Sequence, residues 1–443
     1  MAKIIFFSCL VILLLHPRTV KGRQLQGPGY QLTLSEAIQF AKNQNKWVRS
    51  VGIAETAAAE DRKATYKEAL PSINADGSYQ YFTPLTLFGG GLSHASTISR
   101  PPGSTSAALG VEALFNLYSG GRQRAKQNEQ NSHLKIAQLD THDQSGTIAL
   151  QTAVAYLDLV RLNDQQQFIL DQKRRALTRL ANINSLYNNE KVTRSDVLRA
   201  QVALSNTQLA LEQNQNDIAI TNQRLDVLMD LPDSVRIFPA DSAAMPKPAT
   251  PSLTPLVQMT TQSAWSLQKA NENIRLANAV LKEVESAGRP SVGLYGGYGL
   301  NYPNYNVFPA ADQAWSIGFV GIKASYEISS LYHNKNRVAA ARLRLRQTEL
   351  QAEARLDDVR TEAEAYLIKY GEALNRISVN ERSVEEALVN YRIQNTKYLN
   401  QLSLLTDLLD ADNLYQESRI HLIRSQTDAL TIYYRLLYLS GNL

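Results

Sequence analysis

The sequence predicts a mainly α chain with a smaller β part. Two structural repeats each supply long coiled-coil helices and one strand pair, giving four strands for a β-barrel shared between copies and helices for an α-barrel. Three observations predict this. Long stretches near 122–188 and 334–398 contain no Pro. Strand-type alternation appears twice, each time just before such a stretch. A seven-residue apolar stripe recurs at a fixed offset of 211 positions. The 22 Gly and 15 Pro make up about 8% of the 443 residues, against a usual ~12%. Few turn formers favour a few long elements and exclude collagen-like and disulfide-stapled classes.

The chain opens with Lys3 and an apolar run from Ile4 to Leu15. That run is too short to span a bilayer and fits a secretory signal over 1–22, with cleavage ahead of Arg23. Cys9, the sole cysteine, lies inside it. The mature chain then has no thiolate nucleophile, Cys–zinc site or disulfide. The formal charge is +5, and Lys3, Arg18 and Lys21 lie in the signal. The near-neutral remainder gives no electrostatic case for nucleic acid.

Residues 32–70 read as one or two helices stopped at Pro71. Ile73, Ala75, Gly77, Tyr79 and Tyr81 then alternate with polar residues as a strand. Residues 83–106, with Gly89-Gly90-Gly91 and Pro101-Pro102, read as a loop. A second strand carries Leu109, Val111, Ala113 and Phe115 on one face and ends at Gly120-Gly121. Helices follow from Arg122 to about Asn188 and from about Ser195 to Leu231. After a Pro-rich linker the order repeats. Helical sequence leads to a strand with Val292, Leu294, Gly296, Tyr298, Leu300 and Tyr302, then a strand from about Trp315 to Ile328. Long helices follow from about Asn334 to Tyr398 and from about Thr406 to Leu439. The predicted organisation is a signal peptide at 1–22, a first repeat at 23–231, a linker at 232–255 and a second repeat at 256–443. Val197, Leu204, Leu211, Ile218 and Leu225 form one stripe, and Leu408, Tyr415, Leu422, Ala429 and Leu436 its counterpart. Such a stripe keeps one helix face against a partner and implies left-handed supercoiling.

The strands are long enough to cross an outer membrane when tilted. Tyr79, Tyr81, Tyr295, Tyr298 and Tyr302 suit an aromatic girdle. Buried sheet packing would give the same alternation. Four strands cannot close a barrel, and lipid does not tolerate an open edge. Two copies would give a barrel nearly filled by side chains, whereas three leave room for a lumen. A trimer is therefore favoured.

The turns between the long helices read YNNEKVTRSDVLRAQVAL, from Tyr187 to Leu204, and YLNQLSLLTDLLDADNLY, from Tyr398 to Tyr415. Both resemble the TolC family of outer-membrane efflux proteins. The family pattern is Tyr, a Gly three residues on, then Asp-hydrophobic-Leu-x-Ala; Glu190 and Gln401 stand at the Gly positions. The passages LFNLYSGGRQR and SYEISSLYHNKNR are also similar to the family's, without its frequent Pro, near Asn116 and Glu327.

This resemblance implies a homotrimer in the outer membrane of a Gram-negative bacterium, in contact with outer-membrane lipid, with a helical tunnel extending into the periplasm. It implies docking to a periplasmic adaptor protein and, through it, to an inner-membrane pump. The expected function is a passive export duct of a tripartite efflux or type I secretion system, gated at the helix tips. Asp407 and Asp410 match the family's constriction carboxylates, and Asp196 is the first-repeat counterpart, with Arg199 at the second position. Tyr398 matches a gating tyrosine whose basic partner position holds Ser403. Val192, Thr193, Leu402 and Ser403 are candidate adaptor contacts at the tips; an ordinary solvated turn, with Leu402 packing locally, is the competing reading. For Asp407 two readings stand: a pore ring, or helix-start chemistry beside a Thr406 cap.

Enzymatic readings find little footing. The histidines at 94, 133, 142, 333 and 421 show no compact metal spacing. Gly89–Gly91 lack the Lys-Ser/Thr of a phosphate loop, and no Ser/His/Asp set stands out. No catalytic residue, metal site or cofactor is predicted. The competing functions are a secreted structural coiled coil and, more weakly, a periplasmic hydrolase.

Overall fold

The structure is a computed structural model and describes residues 29–98, 103–233, 235–248, 250–307 and 310–443. The signal peptide expected at 1–22 lies outside the described residues, as do Pro101 and Pro102 of the loop expected at 83–106. The chain begins with β1 (Tyr30–Leu32), α1 (Leu34–Gln44) and α2 (Lys46–Lys67). Thr33 and Glu36 cap α1 reciprocally. Asn45 breaks α1 from α2: its side-chain Oδ1 accepts the Trp47 N–H at 2.9 Å, and its Nδ2 donates to the Leu228 carbonyl at 2.8 Å.

Strand β2 (Ser72–Tyr81) follows, then β3 (Leu85–Phe88), β4 (Ala95–Ile98) and β5 (Thr105–Ser119). The stretch expected as loop at 83–106 thus carries a short hairpin, β3 paired antiparallel with β4. Helices α3 (Arg122–Asn188) and α4 (Arg194–Met229) complete the first half, and β6 (Ile237–Pro239) follows. Next come α5 (Thr250–Ser263), α6 (Trp265–Ser286), β7 (Ser291–Tyr302), β8 (Trp315–Ser325), α7 (Ser330–His333), α8 (Lys335–Leu399) and α9 (Leu405–Leu439). Helix α3 has 67 residues and reaches roughly 100 Å at ~1.5 Å per residue. The expected linker at 232–255 holds β6 and the start of α5. β6 runs parallel to β1, with Tyr30 opposite Ile237.

The main sheet has the order β2-β5-β7-β8, antiparallel throughout. Residues directly opposite each other share a face. Ala75, Val111, Tyr298 and Gly318 line up in this way, as do Ile73, Ala113, Gly296 and Val320. The register therefore gathers the apolar phase of all four strands on one face. Tyr295 is an exception to the expected girdle. It lies between Leu294 and Gly296, on the opposite face, where its ring stands 5.7 Å from Phe319 and close above Gly321. The apolar face is bare in the chain: Tyr79 is 74% exposed and Val320 82%. β2 and β8 are the outer strands of this sheet, each paired along one side only.

The largest core lies midway along α3. Leu34, Ala37 and Ile38 of α1, Tyr156 and Leu159 of α3, and Leu225 and Met229 of α4 pack there, with Ile237 from β6. Asp241 ties this belt together: its Oδ2 accepts the Leu34 N–H at 2.8 Å and lies 2.9 Å from the Tyr156 hydroxyl. Gly146 on α3 allows Trp265 and Tyr438 to approach; a Cβ there would lie 2.4 Å from Trp265 Cζ3.

Candidate functional site

The two helix tips are built alike. Helix α3 ends with Asn189 as C-cap and Glu190 at φ 58°. The Glu190 N–H donates to Tyr187 O and the Lys191 N–H to Leu186 O, each at 2.9 Å. Helix α8 ends the same way, with Gln401 at φ 61°. The Gln401 N–H donates to Tyr398 O at 2.9 Å and the Leu402 N–H to Lys397 O at 2.8 Å. These are Schellman closures, in which a left-handed residue normally favours glycine. Neighbouring asparagines support the closures: Asn189 Nδ2 donates to Ser185 O at 2.7 Å and Asn400 Nδ2 to Thr396 O at 2.9 Å. The tight turn that a family glycine would give is therefore kept without glycine.

The next helices start from matched acids. Asp196 Oδ2 accepts the Thr193 N–H at 3.0 Å, and Thr193 Oγ1 accepts the Asp196 N–H at 3.3 Å. In the second tip Leu404, not Thr406, fills the N-cap position. Leucine offers no acceptor, so the stabilisation comes from Asp407, whose Oδ2 accepts the Leu404 N–H at 3.2 Å. A carboxylate at this position also faces the positive end of the helix dipole. Asp407 and Asp410 are both exposed in the single chain, one turn apart on α9.

Tyr398 lies elsewhere, in a small core with Ile183, Ala200, Leu405 and Leu408. It is 9% exposed, and its hydroxyl oxygen has no hydrogen-bond partner. Burial raises its pKa; the nearby Asp196 carboxylate adds to the rise and Arg179 opposes it. The tip thus brings Tyr398 and Asp196 into one electrostatic neighbourhood. Of the expected tip contacts, Val192 packs against this core, whereas Thr193 and Leu402 are exposed and Ser403 is half-buried. Leu402 stands bare at the position where a Schellman turn usually folds an apolar side chain back onto its helix.

One cluster near the tip was missed at the sequence level. Asp412 of α9 is buried between two arginines of α3: Arg179 Nη2 donates to Asp412 Oδ2 at 2.8 Å, and Arg175 Nε to Oδ1 at 3.1 Å. Arg175 also lies over the rings of Tyr391 and Tyr415, at 5.5 and 5.9 Å from their centroids. Arg419 sits 3.2 Å from the Phe168 ring centroid. The available signal was Asp412 itself, an acid four residues after Leu408 on the flank of the apolar stripe.

Residues 37–229 match the family model described as outer membrane efflux protein. Over that stretch the chain is similar to the family. Its fold is shared with CusC, a transmembrane channel, at TM-score 0.79 and 16% identity, covering 95% of this chain and 96% of that one. It is shared with the outer membrane protein VceC of Vibrio cholerae at TM-score 0.76 and 16% identity, over 92% and 96% of the two chains. The outer membrane channel CmeC of Campylobacter jejuni matches at TM-score 0.74 and 14% identity, over 92% and 85%. No curated protein matches in sequence. The mainly helical fold with its minor sheet, expected from the sequence, is the fold of these channels.

Proposed function

We propose that three copies of this chain form a passive export duct through the outer membrane, gated at the periplasmic helix tips. The observation that carries this reading is the sheet: four strands with a bare apolar face and two outer strands paired on one side. In lipid an unpaired strand edge is untenable, because each unsatisfied backbone group costs several kcal/mol. Joining β8 of one copy to β2 of the next closes the barrel, and three copies give twelve strands and a lumen. The long helices have matching needs. Leu198, Val202 and Leu209 on α4, and Leu350, Val379 and Val389 on α8, are exposed in the single chain. A neighbouring copy covers them.

The chain is organised as two repeats, 23–231 and 256–443, joined by 232–255. Matching turns support this: Asn189 with Asn400, Glu190 with Gln401, and Asp196 with Asp407 all differ by 211. Asp407 and Asp410 of three copies form two carboxylate rings at the narrow end, with Asp196 beside them. Tyr398 holds the tip from within its core rather than from the lumen. Val192, Thr193, Leu402 and Ser403 meet a periplasmic adaptor, which links the duct to an inner-membrane pump that supplies the energy of a tripartite efflux or type I secretion system. Bare Leu402 supports a protein contact there.

Close carboxylates favour cations and protons. The closed duct should therefore be cation-selective and blocked by divalent ions. The test is single-channel recording of an Asp407→Asn, Asp410→Asn double variant. Loss of divalent block with intact trimers supports the rings. Unchanged selectivity and block would sink them. Because Asp407 also accepts the Leu404 N–H, a thermal melt of the same variant reports its helix-start share.

A further inference from the structure

Between the two coiled coils, just above the tip, lies a cleft of ≈ 290 Å³. Its walls include Arg174, Arg175, Arg179 and Asn182 of α3, and Asn395 and Tyr398 of α8. We infer that this cleft is a binding site for one small oxyanion, a carboxylate or phosphate group, held by the Tyr398 hydroxyl and the α3 arginines.

Two buried donors point to an absent acceptor. The Tyr398 hydroxyl is enclosed and unpartnered. Arg175 Nη2 is also enclosed; it lies 3.0 Å from Asp412 Oδ1 but is not aligned with it for a hydrogen bond. Buried donors are costly when unpaired, so two of them lining one cleft mark where an acceptor belongs. Three arginines line the cleft: Arg174 pairs with Asp171 at 2.6 Å, whereas Arg175 and Arg179 share the single carboxylate of Asp412. Arg175 is preorganised, since the Tyr391 and Tyr415 rings that flank it stack on each other at 6.1 Å. A fixed guanidinium fork matches the planar spacing of oxyanion oxygens. A tyrosine hydroxyl is protonated at neutral pH, and burial raises the Tyr398 pKa further, so it offers a donor and not a competing charge.

Neither the number of copies nor the transported substrate enters this assignment, so its test reads binding rather than transport. The full chain in detergent is titrated calorimetrically with inorganic phosphate and, separately, with acetate, at constant ionic strength set by sodium chloride. The expected result is saturable binding of one anion per chain, and the arm that binds tighter tells phosphate from carboxylate. Tyr398→Phe keeps the ring packing and should weaken binding about tenfold or more, with no loss of thermal stability in the anion-free protein. Arg174→Gln, at the exposed rim, should weaken it too. A parent chain that binds neither anion overturns the assignment. So does a Tyr398→Phe chain that binds as tightly as the parent.

Discussion

Replacing Asp412 by Ala strips two arginines of α3 of the carboxylate they share. The Asp412 side chain is 3% exposed and Arg179 8%, so Arg179 cannot recover water in place. Arg175, at 22%, can do so in part. Removing one partner of a buried pair costs about 3–5 kcal/mol, and the partial rehydration of Arg175 places this site near 3 kcal/mol. The loss is local, because Asp412 joins α9 to α3 beside the tip and lies apart from the core around Tyr156. Hydrogen exchange read by mass spectrometry on the full chain resolves it. A local loss near 3 kcal/mol corresponds to roughly a hundredfold faster opening. Segments covering 175–186 and 405–416 should exchange faster by about that factor, while 150–160 should not. A triple change, Asp412→Leu with Arg175→Met and Arg179→Met, should recover most of the protection, since apolar replacement of a buried ion cluster is often neutral or better. Exchange in the tip segments within about threefold of the parent would refute the reasoning.

Three further outcomes are expected. Leu294→Arg places a charge on the apolar sheet face between Phe115 and Ile322; it should cost roughly 2–4 kcal/mol near the midplane, and normal trimer yield on native gels would contradict the assigned face. Gly146→Ala forces Trp265 away from a contact that would otherwise be 2.4 Å; a cost of about 1–3 kcal/mol and a shifted tryptophan emission are expected, and an unchanged spectrum would count against the packing. Asp226 is buried with an unpartnered Oδ1, and burial, then Asp233, pushes its carboxyl from 3.8 up to about 6. The folded state therefore holds this proton more tightly than the unfolded state, so its contribution is complete below about pH 4 and is lost as pH rises to about 6. Asp226→Asn should flatten that part of the melting-temperature profile, and an identical slope in the variant would rule the group out.

The long helices and the main strands were legible because each is set by local rules. Pro-free length predicted α3 and α8, the seven-residue stripes marked α4 and α9, and alternation at 72–81 and 292–302 predicted β2 and β7 together with their shared apolar face. What escaped depends on distance or brevity. β1 and β6 have three residues each, too few for any period. The β3–β4 hairpin sits among glycines that read as loop. Tyr295 falls on the other face because its phase, not its ring, decides its direction. Asp412 and Arg179 are 233 positions apart, and no local pattern links them. Glu190 and Gln401 adopt the left-handed turn that their side chains disfavour, because Asn189 and Asn400 brace the helix ends. Thr193 with Asp196, by contrast, is a capping pair readable directly from its spacing.

The short parallel pairing of β1 with β6 sets an order of events during biogenesis. Leu34 and Asp241, which meet beside it, are 207 positions apart. The amino-terminal strand has no partner of its own until that much chain has emerged, so the mid-helix belt is closed late and by a long loop. Until then α1 has only part of its covering, that of α3 and α4, and lacks Ile237 and the Asp241 carboxylate. Deleting 237–241 should leave the long helices able to form while releasing the amino-terminal end to proteases.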